Sequence, residues 1–114
     1  MAPLNAGADG GRCSTVSGNV SNGGNGGGSI IDGSTDSDLS LTNSTVSGNS
    51  ADESGGGLFN GGTVDLNNVT VADNTADANG DGSGDAGGIC NFDGIGATVT
   101  LGSTIVAGNT DPGG

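Results

Sequence analysis

The residues with the sharpest chemical spacing are Asp77-Ala78-Asn79-Gly80-Asp81-Gly82-Ser83-Gly84-Asp85. Oxygen-bearing side chains at alternate positions, closed by Gly, match the first half of the twelve-residue calcium loop D-x-[DN]-x-[DN]-G. In that pattern Asp77, Asn79 and Asp81 supply side-chain oxygens, Ser83 its carbonyl, and Asp85 a direct or water-bridged contact. Ca²⁺ is therefore the cofactor this spacing suggests. The twelfth position, where the pattern wants a bidentate Glu, holds Gly88, so binding should be weak unless Asp52 or Glu53 lends a carboxylate. A solvated Asp/Gly turn has the same composition. A second acidic group, Asp32, Asp36 and Asp38, is more loosely spaced.

Catalytic equipment is otherwise thin. Thirteen acids face a single base, Arg12, and His, Trp and Tyr are absent. No Ser/His or Cys/His pair exists for nucleophilic work. Carboxylates alone could run glycoside hydrolysis, yet the chain offers no aromatic platform for a sugar ring, and the expectation is a protein that is not an enzyme. A net charge of −12 repels phosphate backbones and anionic membranes, which excludes nucleic acid as a natural partner. No run approaches the roughly 20 apolar residues of a membrane-spanning helix, so no membrane insertion is expected. Divalent cations suit such a surface better, although the acids could equally serve to keep a Gly-rich surface soluble. No signal peptide opens the chain.

What must position these residues is a repeat. With 27 Gly and two aromatics among 114 residues, composition alone sits near the disordered class. Order rescues it. Residues 14–19, 44–49, 69–74 and 104–109 share an apolar third position and a terminal Asn. A second strand follows glycines: Ile30-Ile31-Asp32, Leu58-Phe59-Asn60 and Ile89-Cys90-Asn91. A third alternates strictly: Leu39-Ser40-Leu41, Val64-Asp65-Leu66 and Val99-Thr100-Leu101. Between the terminal Asn residues the spacings are 30, 25 and 35, and the differences fall in connections, as a coil-by-coil stack predicts. The division is a lead-in at 1–12 and one all-β domain at 13–114, with three full coils, a partial fourth, and three short strands per coil.

Period-two alternation assigns the interior. The inward columns are Val16/Val46/Val71/Val106, Ile30/Leu58/Ile89, Leu39/Val64/Val99 and Leu41/Leu66/Leu101, and Ile31, Phe59 and Cys90 are expected to face outward, with partial burial the alternative if the turns shift the phase. Corner residues need positive φ, which Gly and Asn tolerate best. Asn19/Asn49/Asn74/Asn109 and Asp32/Asn60/Asn91 are thus candidate side-chain ladders at the roughly 4.8 Å spacing of adjacent strands, with ordinary turn residues as the alternative. The three N-x-[ST] matches at Asn19, Asn43 and Asn68 follow from the same corner pattern. Cys13 and Cys90 sit two coils apart, roughly 9.6 Å of strand spacing, which predicts no bridge between them.

The stretches NSTVSGNSA, GGGLFN, TVDLNNVTV and STIVAGNT resemble the repeats of right-handed parallel β-helix proteins, the pectin-lyase-like superfamily. They are most similar to Gly/Asn-rich repeats of bacterial surface and adhesin-type proteins. The resemblance implies a right-handed β-solenoid, an extracellular or cell-surface location, and a structural role in a stalk, adhesin or filament. The lyases of that superfamily use Arg or Lys with calcium and its hydrolases clustered Asp with His and Lys, a set this chain lacks. A carbohydrate-binding or carbohydrate-degrading module is the alternative. The outward column Thr15/Thr45/Thr70 is similar to the threonine arrays of ice-binding solenoids, but it breaks at Ile105. Neither end reads as a polar cap, and unpaired strand edges at both ends favour head-to-tail stacking on further copies of the chain.

Overall fold

The computed structural model describes residues 11–12, 14–31, 37–92 and 96–113. These contain thirteen strands and no helix. The strands are β1 (Gly11–Arg12), β2 (Thr15–Ser17), β3 (Val20–Ser21), β4 (Ser29–Ile31), β5 (Asp38–Thr42), β6 (Thr45–Ser47), β7 (Ser50–Ala51), β8 (Leu58–Asn60), β9 (Thr63–Asn67), β10 (Thr70–Ala72), β11 (Ile89–Asn91), β12 (Thr98–Gly102) and β13 (Ile105–Ala107).

Every pairing is parallel, and the strands form four separate sheets ordered β1-β5-β9-β12, β2-β6-β10-β13, β3-β7 and β4-β8-β11. The chain visits the sheets in one fixed rotation. Each circuit therefore lays a strand beside its counterpart from the circuit before, and every pairing is long-range in sequence. Such strands are short and cannot stand alone, so their stability comes from stacking rather than from local propensity.

Where alternation is strict, the register follows it. Val16, Val46, Val71 and Val106 stand opposite one another, as do Leu39, Val64 and Val99, and Leu41, Leu66 and Leu101. The buried cluster comprises Val16, Ile31, Leu39, Leu41, Val46, Leu58, Val64, Leu66, Val69 and Val71, with Ile89 and Val99 packed against it.

The second strand departs from the expected alignment by one residue. Ser29, not Ile30, pairs with Leu58, so Ile30 stands opposite Phe59 and Ile31 opposite Asn60. A one-residue slip exchanges the faces of a strand. Hence Ile31 is 3% exposed, whereas Ile30 is half-buried on the outward side. The cause lies upstream, in glycine. Gly26, Gly27 and Gly28 donate to the carbonyls of Ser54, Gly55 and Gly56, and a Cβ on Gly28 would sit 2.5 Å from the Gly57 oxygen. Backbones this close admit no side chain, so the Gly triplets set the register and the strand that follows obeys them.

Two further differences concern strand count. A fourth strand position exists per circuit, β3 and β7, continued by single bridges from Ser50 to Thr75 and from Thr75 to Thr110. Its inward residues are small, with Ser21, Ala51 and Ala76 all buried, so no hydrophobic run announces it. Likewise Gly11–Arg12 is not a lead-in outside the sheets but strand β1, pairing with Leu41 and Thr42.

The two ends of the stack are unlike. At the first circuit the inward Val16 is only 5% exposed, whereas at the last circuit Leu101 is 50% and Val106 46% exposed. Leu101 and Val106, expected in the core, therefore lie open, and the symmetry expected of the two ends is absent.

Candidate functional site

The corner that closes the β2-type strand is built from Val-x-Gly-Asn in three copies and from Val-Ala-Asp-Asn at 71–74, where Asp73 takes the positive φ of 55°. Gly18, Gly48 and Gly108 have φ between 64° and 68°, which turns the chain so that the next Asn side chain points along the stack. Asn49 donates from both its backbone N–H and Nδ2 to Asn74 Oδ1, at 3.0 and 2.9 Å. Asn19 makes the same pair of bonds to Asn49 Oδ1, and Asn74 to Asn109 Oδ1. The second Nδ2 proton reaches back a circuit, from Asn49 to the Val16 carbonyl, from Asn74 to Val46 and from Asn109 to Val71. Asn49 and Asn74 are fully enclosed, so the ladder satisfies groups that could not otherwise be buried.

This ladder has a direction. Each amide oxygen accepts from the preceding circuit, and each N–H donates to the next. Among the described residues, Asn19 Oδ1 at the head receives no donor, and Asn109 N–H at the tail finds no acceptor.

The second expected ladder is shorter. Asn60 is buried and donates to Asn91 Oδ1 at 2.8 Å, to the Thr98 carbonyl and to the Gly62 carbonyl, while Gly62 N–H returns to Asn60 Oδ1. Ile31 stands opposite Asn60 in the first circuit, and Asp32 lies outside the described residues. The outer corners carry a further contact not expected from the sequence, Asn68 Nδ2 to Asn43 Oδ1, both residues at positive φ.

The loop at 77–85 folds onto its own backbone. Asp77 is fully buried, and its carboxylate accepts from Asp81 N–H and Gly82 N–H. Asn79 Oδ1 accepts from Asp81 N–H, and Asp81 Oδ1 from the N–H and hydroxyl of Ser83. The Ser83 hydroxyl, followed by the Ser83 N–H, holds the Asp81 carboxyl below the usual carboxylate range. The tail covers Asp77, because a Cβ on Gly113 would collide with Asp77 Oδ2. Asn79, Asp81, Ser83 and Asp85 are exposed. Among the described residues no group of three or more His, Cys, Asp and Glu is disposed as metal ligands. In the second acidic group only Asp38 is described, exposed on β5, while Asp32 and Asp36 lie outside the described residues.

The outward face of the β4-β8-β11 sheet stacks Ile30, Phe59 and Cys90 in one row. Phe92 folds back beside it, with its ring 5.8 Å from that of Phe59 at an interplanar angle of 27°, and is 57% exposed. The chain's two aromatics thus form a pair that no pattern in the sequence announces, since Phe92 falls outside the repeat. Cys90 is a free thiol. Burial, then the nearby Asp85 carboxylate, pushes its pKa up, opposed by a smaller contribution from a hydrogen bond with Ser54. Cys13 lies outside the described residues.

Comparison of the chain with family models, with curated proteins and with solved structures gives no match.

Proposed function

We propose that the four parallel sheets are the faces of one right-handed β-solenoid, and that the protein is a structural, non-catalytic module of an extracellular filament, stalk or adhesin. The observation that carries this reading is the contrast between like residues at successive levels. Leu66 and Val71 are wholly enclosed by the circuits on either side, while Leu101 and Val106, in the same columns, are about half exposed. The last circuit thus offers the surface that an added circuit covers everywhere else in the stack. Covering these two side chains contributes about 2 kcal/mol, and the unpaired edges of β12 and β13 add strand pairing. Self-association through that end is the mechanism of assembly.

Sedimentation velocity over a wide concentration range tests this. Association that Leu101→Lys abolishes supports the reading, whereas a wild-type protein that stays monomeric throughout sinks its filament version. Calcium belongs to the same proposal through the exposed oxygens of Asn79, Asp81 and Asp85, and calorimetric titration with Ca²⁺ should give heat that Asp81→Ala removes.

One observation favours the second reading. The Phe59–Phe92 pair, with Phe92 exposed and Phe59 half-buried, is an apolar platform of the kind on which a sugar ring can stack. Binding of acidic or neutral oligosaccharides, lost in Phe92→Ala, would make the module a carbohydrate-binding one.

A further inference from the structure

The chain's two aromatic rings meet on the side of the stack, not at an end. Phe92 stacks on Phe59 with a centroid separation of 5.8 Å and is 57% exposed, so its ring remains open to a second stacking partner. Its backbone is pinned, because Phe92 N–H donates to the Asn60 carbonyl at 2.7 Å. Phe59 belongs to β8, one circuit before β11, so the Phe92 ring lies over the preceding level and the pair does not depend on where the stack ends. We infer that the Phe59–Phe92 pair, with Asp85 beside it, binds an arginine side chain on a basic segment of another protein.

Charge selects the occupant. Thirteen acids face one base in the chain, and one of those acids stands at the pair: the Asp85 carboxylate acts on the thiol of Cys90, which lies opposite Phe59 in the same row. Asp85 is exposed, and its N–H donates to Ser54 Oγ at 2.9 Å; Ser54 N–H in turn donates to Asn25 Oδ1 at 2.8 Å. Glu53, the neighbour of Ser54 in sequence, is exposed as well. The negative face of an aromatic ring attracts a cation, the carboxylate strengthens that attraction, and both repel an anionic ligand such as a uronate. Among cations the guanidinium fits best. It is planar enough to stack on the ring, keeps N–H donors in its plane for a carboxylate, and is more weakly hydrated than an ammonium.

The rest of the row shows that the arginine belongs to a chain. Ile30, Phe59 and Cys90 stand on successive strands and are all half-buried. They make an uncharged strip about 10 Å long at the spacing of adjacent strands. A free guanidinium covers one ring and leaves the strip bare. An arginine within a peptide lays its methylenes, and an apolar neighbour, along it. The net charge of −12 draws such a segment in from a distance at low salt.

Titrations of the whole chain followed by aromatic NMR signals test this, with the end-capped peptides Gly-Arg-Leu-Arg-Gly and Gly-Lys-Leu-Lys-Gly and with cellotetraose as probes. The arginine peptide should shift the ring signals of Phe59 and Phe92 and bind about 2- to 5-fold tighter than the lysine peptide, whose charge is the same. Phe92→Ala should weaken the arginine peptide about 2- to 5-fold and abolish that preference, while Phe92→Tyr, which restores a ring, keeps it. Asp85→Asn should weaken binding by a similar factor. Asp65→Asn removes the same charge from the exposed face of β9 and should leave binding unchanged. Equal binding of the two peptides, indifferent to Phe92→Ala, reduces the effect to diffuse attraction by an acidic surface and overturns the assignment. So does the absence of any shift with the arginine peptide. Ring shifts with cellotetraose but not with the arginine peptide also overturn it, and give the pair to the carbohydrate reading instead.

Discussion

Truncating Ile30 and Ile31 one at a time decides the register of β4. Ile31 is 3% exposed and belongs to the buried cluster, so Ile31→Ala leaves a cavity in the interior and should cost about 2–5 kcal/mol. Ile30 is half-buried on the outward face, where water replaces the lost side chain, and Ile30→Ala should cost less than about 1 kcal/mol. For a domain of this size each kcal/mol moves the melting temperature by about 4 °C. The two variants should therefore differ by several degrees, with Ile31→Ala at least about 8 °C below wild type. Ser29 supplies a third reading with opposite sign. Its hydroxyl is buried at the position of Leu58 and has no hydrogen-bond partner, so Ser29→Ala should raise the melting temperature by about 4 °C through loss of an unsatisfied polar group. Thermal melts followed by far-ultraviolet circular dichroism measure all three. If Ile30→Ala proves costlier than Ile31→Ala, and Ser29→Ala is neutral, the strand sits one residue over and the glycine argument fails.

Other expectations follow from single sites. Asn74→Ala strands Asn49 N–H, Asn49 Nδ2 and Val46 O in the interior and should cost about 3–5 kcal/mol, against about 1 kcal/mol for Asn109→Ala at the solvated tail; equal losses in chemical denaturation would mean the ladder is not sealed from water. Gly57→Ala places a Cβ 2.5 Å from the Gly88 oxygen and must push adjacent circuits away from each other. It should therefore lower the denaturation midpoint more than Gly48→Ala, where open space leaves only the left-handed backbone penalty of about 1–2 kcal/mol. The Asp81 carboxyl has a lowered pKa in the folded loop, so its hydrogen bonds to Ser83 are in place above the ordinary carboxylate pKa and are lost as pH falls through that lowered value. Ser83→Ala should move Asp81 titration to higher pH by carbon-detected NMR, and an unmoved titration would show that the Ser83 contacts do not hold the loop.

Sequence and structure agree where side chains do the aligning. Val16, Val46, Val71 and Val106 fall in one row because an apolar residue in each copy must point inward, and alternation around it leaves no other phase. The asparagine corner is legible for the same reason, since the recurring Asn after Gly, or after Asp73 in one copy, announces a tight turn whose side chain needs partners. Side-chain pattern misplaces a strand where backbone carries the register. Ile30 and Ile31 are both aliphatic, so hydrophobicity cannot choose between them; the preceding Gly26-Gly27-Gly28 and Gly55-Gly56-Gly57 triplets can, because their backbones are what meet. The β3–β7 pair leaves no hydrophobic trace because Ser21 and Ala51 are too small to look like core. At the 77–85 loop, residue spacing reveals the alternating oxygens. It does not reveal that Asp77 is sealed beneath Gly113, a contact between segments that the repeat does not relate.

Because Thr42 stands opposite Asn67 and Asn43 opposite Asn68, the chain leaves each of these levels by the same route. Residues 43–67 can then be lifted out as a block: joining Thr42 to Asn68 asks the backbone to follow a path it already takes one level away. Their duplication is the mirror operation. A protein organised this way changes length by whole levels rather than by residues, so unequal recombination within its gene yields shorter or taller versions that keep every surviving contact type. Its size is an adjustable integer, open to variation without any redesign of the interior.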